Sequence, residues 1–302
     1  MVAEVVLVHG IGPEGQTEEE LRTEWTTTLV RTLREHGHGG HAARLEAGGT
    51  AVAMAYYRDL FSRYAPRDDL DVPFPEEMAL VAEMTGEDIM DNIRRNASDP
   101  AERDEAAREL DWLRAEVGPE QGPFEPVRLV ISMLGRLGPV ARSGFATLSR
   151  YGIFHLGQVA AYLDDETVRE RAIESVLSQV TPDTRAVVAH SLGTVVAYEA
   201  LHRLDQPLPL LLTFGSPLGM RSIIQKRLRP LPLRSPGQVK RWVNVADRDD
   251  FIVSTLKLRK LFPETDIVLE PTVLVKNSNI DPHAATEYLR HRETVEPLAS
   301  VL

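Results

Sequence analysis

The chain contains no cysteine, which excludes disulfides, thiolate metal sites and a cysteine nucleophile. It lacks any uninterrupted apolar run near the roughly 18 residues of a membrane span, so no transmembrane segment is expected. Basic residues are in deficit: 34 Lys and Arg face 45 Asp and Glu, a formal charge of −11. Such a surface repels a phosphate backbone on average, and nucleic acid is not an expected partner. Met1 to Val8 lacks a basic segment and a cleavage pattern, so the expected location is cytoplasmic. What remains is ordinary for a globular protein. The 302 residues are 43% hydrophobic and 26% charged, enough chain for a large core in one or two domains.

Val2 to Val8 is a β-branched run closed by His9, Gly10, Ile11, Gly12 and Pro13, which suits a strand buried on both faces. Thr17 to His36 carries Leu21, Trp25, Leu29 and Leu33 at four-residue spacing, the stripe of an amphipathic helix. Thr17 and Glu20 form a capping box at its start. Residues 36–49 are Gly-rich and read as loop. Further strands are expected at Thr50 to Tyr57, at 185–189, at Leu208 to Phe214, at Val239 to Ala246 and within Asp266 to Lys276. Helices are expected at Asp165 to Val180, Leu192 to Leu204 and Met220 to Leu228, with His283 to Pro297 closing the chain. This alternation predicts a parallel α/β sheet.

Residues 58–164 interrupt it. Glu76 to Asn96 and Ala101 to Val117 read as charged helices. Phe124 to Leu163 is apolar, has no acid between Glu125 and Asp164, and carries Arg128, Arg136, Arg142 and Arg150. On one helix these four arginines would share a sector of about 120°, although Gly138 and Pro139 break that continuity. A structureless loop of this length would be implausible, so a helical insertion over the sheet is expected. It is either a cap packed on the core with solvated arginines, or a lid that meets an acyl chain or an anionic head group.

The strongest local signal runs from Val187 to Val196: strand residues lead into Ala189-His190-Ser191-Leu192-Gly193 and then an apolar helix. The turn is too tight for large side chains at Ala189 and Gly193. Its sharpness lifts Ser191 above the strand end, at a helix N-terminus, and the Leu192 N–H then points at an oxyanion formed on attack. Read alone, Ser191 could equally be an ordinary helix cap.

With this turn, the pair His9-Gly10 after an earlier strand, and Phe214 to Leu218 after the next one, the sequence resembles the α/β-hydrolase superfamily, particularly its lipase- and esterase-like members. The resemblance covers residues 2–57 and 165–297. It implies an α/β-hydrolase fold: a mainly parallel sheet of about six strands flanked by helices, with 1–57 and 165–302 as core and 58–164 as a helical cap or lid. It also implies that Ile11, after His9-Gly10, supplies a second oxyanion N–H, with His9 supporting that loop. The family orders its residues Ser, acid, His. Its acid pattern, Asn-x-x-Asp-x-x-Asp-Pro-Val, falls on Asn244, Asp247 and Asp250, with Phe251 replacing Pro. Asp250 is then the acid, Asp247 the runner-up and Asp249 the least favoured. Of the histidines after Ser191, His202 lies inside the elbow helix and His291 deep in the last one. His283, in the loop opening that last helix, is the expected base.

The implied activity is a serine esterase that forms an acyl-enzyme on a small acyl ester, without cofactor or metal. The cap would line the site and could touch lipid peripherally. A thioesterase or acyltransferase would use the same residues, and an inactive binding protein of the same fold is the alternative from another class. Gly10, Gly12 and Gly15 also fit a dinucleotide-binding G-x-G-x-x-G. However, Glu14 and the acids Glu18 to Glu20 would crowd a pyrophosphate with negative charge. His36, His38 and His41 invite a metal reading, but they sit in a Gly-rich stretch that reads as solvated loop, and Ser216 reads as a turn cap.

Overall fold

The computed structural model describes residues 3–11, 16–64, 76–116, 133, 136–138, 149–263, 268–278 and 280–302, with backbone alone for 62–64, 76–80, 82–83 and 149–156. The strands are β1 (Val5–Val8), β2 (Val52–Ala55), β3 (Ala186–His190), β4 (Leu210–Phe214), β5 (Trp242–Asp247) and β6 (Val273–Val275). They form one six-stranded sheet in the order β2-β1-β3-β4-β5-β6, and every pairing is parallel. Every residue of β1, β3, β4 and β5 is buried, as a sheet covered on both faces requires.

Side chains alternate between two apolar layers, because successive residues of a strand point to opposite faces. Val5, Leu7, Val188, Leu210 and Leu212 face α1 (Glu18–Glu35), α2 (Gly39–Glu46) and the C-terminal helices. Val6, Val8, Val187, Ala189 and Leu211 face the other layer. There lie the insertion helices α3 (Glu76–Asn96), α4 (Pro100–Glu116) and α5 (Ser149–Asp164), together with α6 (Glu166–Leu177) and α7 (Leu192–Leu201). Ile89, Ile93, Leu110 and Tyr162 of the insertion belong to the same apolar cluster as Val187 and Leu211. The insertion is therefore helical where described, and continuous with the core of that face. Most of the apolar segment from Phe124 onward, part of the expected cap, lies outside the described residues up to position 148; Met133 and Leu137 are fully buried.

Three expectations are corrected. Residues 36–49 are not all loop: α2 forms there because Ala42 and Leu45, three apart, bury one helical face against α1. Met220 to Leu228 is not an α-helix but a single π-type turn, Arg221–Gln225. The Asp88 carboxylate takes the Ser222 and Ile223 N–H groups at 3.0 and 3.3 Å, in place of helical carbonyls. The closing helix is two helices, α8 (Ala285–Leu289) and α9 (Arg292–Ala299). The break puts His291 at the cap of α9 rather than two turns inside a helix, and the Thr294 hydroxyl donates back to Tyr288 O at 2.7 Å. The capping box stands as expected: Glu20 N–H donates to Thr17 Oγ1 and Thr17 N–H to Glu20 Oε2.

Sheet order reverses between β1 and β3: the chain steps from β1 outward to β2, then returns to the far side of β1. A crevice opens at the C-terminal ends of strands at such a switch point, and ligands of open α/β sheets bind there. His9-Gly10 leaves β1 and Ser191 leaves β3 at that crevice.

Candidate active site

The turn after β3 is built by exclusion of side chains. A Cβ on Gly193 would stand 2.3 Å from His9 O, so only glycine lets α7 start against the chain leaving β1. A Cβ on Gly10 would stand 2.4 Å from Ser191 Cβ. The loop after β1 thus passes directly over Ser191, and the first glycine of the dinucleotide-like pattern is used in that contact. Gly12 to Gly15 lie outside the described residues.

Ser191 has φ 51° and ψ −131°, the one positive φ at a non-glycine among the described residues. Such a conformation costs about 1–3 kcal/mol and persists only where neighbours enforce it. Here Ser191 N–H donates to Phe214 O at 3.2 Å, while Thr194 N–H and its hydroxyl donate to Ser191 O at 2.9 and 2.8 Å. Ser191 stands at the cap position of α7 but makes no side-chain capping bond. Its Oγ lies 2.9 Å from His283 Nε2 instead. The Leu192 N–H, first in α7, has no intrahelical acceptor.

His283 Nδ1 lies 2.9 and 2.8 Å from the two Asp250 oxygens. A carboxylate accepts, so Nδ1 carries the proton and Nε2 is left to accept from Ser191. Burial opposes a charge on His283, but the Asp250 charge and hydrogen bond outweigh it. Asp281 adds to them, and the pKa rises above the usual histidine value. The loop carrying His283 is held by Asn277 Nδ2 donating to Pro282 O at 2.6 Å and His283 N–H donating to Asp281 Oδ1 at 3.2 Å.

Asp250 is fully buried. Besides His283, its carboxylate accepts from Ile252 N–H at 2.9 Å and from the Tyr288 hydroxyl at 2.6 Å. Asp247 lies elsewhere: its carboxyl accepts the N–H groups of Asp249 and Asn277, and burial pushes its pKa up. Asp249 accepts from Ser98 N–H at 2.8 Å and pairs with Lys276. Burial works against its charge, yet Lys276 and Ser98 pull its pKa below the usual value. Of the three acids, the structure thus sets only Asp250 against His283.

Two further histidines flank the site in neutral form. His9 donates from Nδ1 to Gly10 O at 2.6 Å and accepts Tyr57 N–H at Nε2, 3.2 Å away. Burial lowers its pKa to about 4. It stacks on Tyr57 at 4.3 Å, and the Tyr57 hydroxyl donates to His9 O. His190 donates from Nε2 to His283 O at 2.8 Å, and burial holds its pKa well below the usual value. His202, at the end of α7, reaches Arg234 O, and His291 reaches Asn277 Oδ1. Ser216 caps its turn by accepting Leu218 N–H at 3.3 Å.

Sequence reasoning missed Tyr57, Tyr288 and Asn92. Each is tyrosine or asparagine without a motif around it, and each acts across more than 35 residues of chain. Of the four arginines, Arg136 is exposed and 3.4 Å from Glu109; the side chains of the other three lie outside the described residues. Among the described residues no three His, Asp or Glu could hold a metal ion, His36, His38 and His41 included, and no helix is long and apolar enough to cross a membrane. In comparisons with protein-family models, curated proteins and solved structures, nothing matches the chain.

Proposed function

We propose that the protein is a serine hydrolase of the α/β-hydrolase type that cleaves a carboxylic ester through an acyl-enzyme. One observation carries the reading: His283 bridges a backbone-strained serine hydroxyl and a buried carboxylate, 2.9 Å from the first and 2.8 Å from the second. The all-parallel sheet, with Ser191 at its switch point, supports the same fold reading.

In this mechanism His283 Nε2 takes the Ser191 proton as Oγ attacks the ester carbonyl. Asp250 holds the Nδ1–H tautomer and stabilises the imidazolium that forms. Negative charge develops on the carbonyl oxygen and is met by the N–H groups of Leu192 and Ile11. Collapse expels the alcohol, which receives the proton from His283. Water then repeats the sequence and releases the acid. The resemblance to lipase-like proteins favours an ester with a moderately apolar acyl group.

The test is a fluorophosphonate probe followed by intact-mass analysis, with a nitrophenyl ester series of rising acyl length. One adduct at Ser191, absent in Ser191→Ala, is expected, together with turnover that varies with chain length. A wild-type chain that neither labels nor cleaves any ester overturns the reading.

A further inference from the structure

The loop that carries Asp250 is gripped by the insertion. Asn92, near the end of α3, is only 2% exposed. Its Nδ2 lies 3.3 Å from Asp250 O and 3.0 Å from Phe251 O. Carbonyls only accept, so this orientation of the amide follows from its partners. The other end of the amide is fixed too: Asn92 Oδ1 accepts from Asn96 Nδ2 at 2.5 Å. Six residues after Asn92, Ser98 N–H donates to Asp249 Oδ1 at 2.8 Å. The end of α3 and the turn leading to α4 therefore hold residues 249, 250 and 251 in succession.

We propose that Asn92 is a positioning residue for Asp250, so that the insertion, through α3, sets the carboxylate against His283. The proposal rests on the hydrolase reading of Ser191, His283 and Asp250. Position 251 is Phe rather than Pro, so no pyrrolidine ring fixes φ there, and the backbone at this turn takes its shape from its contacts. Two consecutive carbonyls directed at one amide fix the peptide planes on both sides of residue 251. Within the loop, Val253 N–H adds a 3.1 Å bond to Asp250 O. The Asp250 side chain can then meet both His283 Nδ1 and the Tyr288 hydroxyl. A carboxylate displaced by about 1 Å misorients the imidazole, and misplacements of that size can cost roughly 10²-fold in rate.

A purely structural Asn92 would lower stability and leave the chemistry of folded molecules alone. A positioning Asn92 acts through Asp250. Asn92→Ala is expected to lower kcat by roughly 10- to 100-fold with KM unchanged. It should also lower the His283 pKa, because the Asp250 interaction that raises it is weakened. The pKa is read by NMR titration of histidine-labelled protein, assigned against His283→Ala. In an Asp250→Asn background the same substitution should cost under about threefold, since the interaction it serves is already gone. Asn92→Leu, which keeps the volume without the donors, should behave like Asn92→Ala. Wild-type kcat with an unchanged His283 pKa overturns the proposal. So does an equal loss in both backgrounds, or failure of both variants to fold, which would make the role structural. If the wild-type chain cleaves no ester the hydrolase reading falls, and the NMR titration still decides the role of Asn92.

Discussion

Two buried polar clusters flank α7, and they differ in one component. At its N-terminus Asp250 accepts from the Tyr288 hydroxyl and from His283. Two turns along, Glu199 accepts from the Tyr162 hydroxyl at 2.7 Å and from Arg169 Nε and Nη2 at 2.8 and 2.5 Å. Each cluster is thus a buried carboxylate, a tyrosine donor and a nitrogen-bearing side chain that donates to the carboxylate. In the second that side chain is Arg169, a permanent cation. Arg169 and Glu199 are each 2% exposed, Arg229 N–H adds a 2.8 Å bond to Glu199, and Arg169 also reaches the carbonyls of Leu163 and Arg227. Charge is balanced, and four of the five guanidinium N–H groups have acceptors. In the first the base is histidine, which can gain and lose a proton and has one nitrogen free to face Ser191. Burial and charge by themselves therefore do not mark chemistry. What sets the first cluster apart is a titratable base hydrogen-bonded to a serine hydroxyl at a strained backbone position, the feature on which the proposed function rests.

Removing the reactive end of the first cluster should give the largest effect. Ser191→Ala is expected to lower kcat on the order of 10⁵- to 10⁶-fold and abolish probe labelling. The fold should remain, because the turn stays small; circular dichroism and a thermal melt check this. A retained rate would erase the contrast between the clusters.

Next comes the carboxylate. Asp250→Asn should cost up to ~10⁴-fold in kcat by spoiling the His283 tautomer, while Asp247→Asn should cost far less. The wild-type kcat/KM is expected to rise with pH as His283 loses its proton, with a midpoint above the ordinary 6.5. In Asp250→Asn that midpoint should fall, because the charge that raises it is gone. A larger loss at Asp247 would move the acid to the wrong end of the loop.

The second cluster should respond in stability alone. Glu199→Gln leaves the Arg169 charge buried without its partner, and breaking such a pair costs about 3–5 kcal/mol. Urea unfolding should show this, with kcat per folded molecule unchanged. A kcat loss comparable to that of Asp250→Asn would show that the two clusters act as one.

The smallest effect is the acid sensitivity of the flanking histidines. His9 falls from 6.5 unfolded to about 4 folded. Between those values the unfolded chain binds the extra proton, so stability present above pH 6.5 is lost as pH falls toward 4. At 1.36 kcal/mol per pKa unit this amounts to about 3 kcal/mol. His190, also lowered, acts in the same sense. His283 acts oppositely: its raised pKa adds stability that is complete below 6.5 and lost as pH rises through the folded value. Unfolding free energies at pH 7 and pH 4 should show net loss in acid, and His9→Gln should reduce that loss.

Much of the frame was legible in local pattern. The runs at 2–8 and 185–189 read as buried strands, and the strands that form there, β1 and β3, are fully buried. Small residues at 189 and 193 marked a tight turn, and the Gly193 contact with His9 O shows why no side chain fits there. Pattern failed where a few contacts decide the outcome. Residues 39–46 are rich in glycine, yet burial of Ala42 and Leu45 makes them helical. The chain around 290 reads as continuous helix, yet it breaks there and Thr294 bonds back to Tyr288.

The sequence by itself determined the alternation of strands and helices, the sharp turn at Ser191, and the short set of acids and histidines downstream of it. These follow from periodicity and side-chain size, which act over a few neighbouring residues. Only the tertiary structure decided that Asp250 rather than Asp247 or Asp249 meets His283, that Tyr288 shares that carboxylate, and that Asn92 holds its backbone from 158 residues away. The three acids lie within four positions of one another, so no local pattern separates them. Past the end of β5 the chain is irregular, and direction there is set by which distant donors meet each carbonyl and carboxylate.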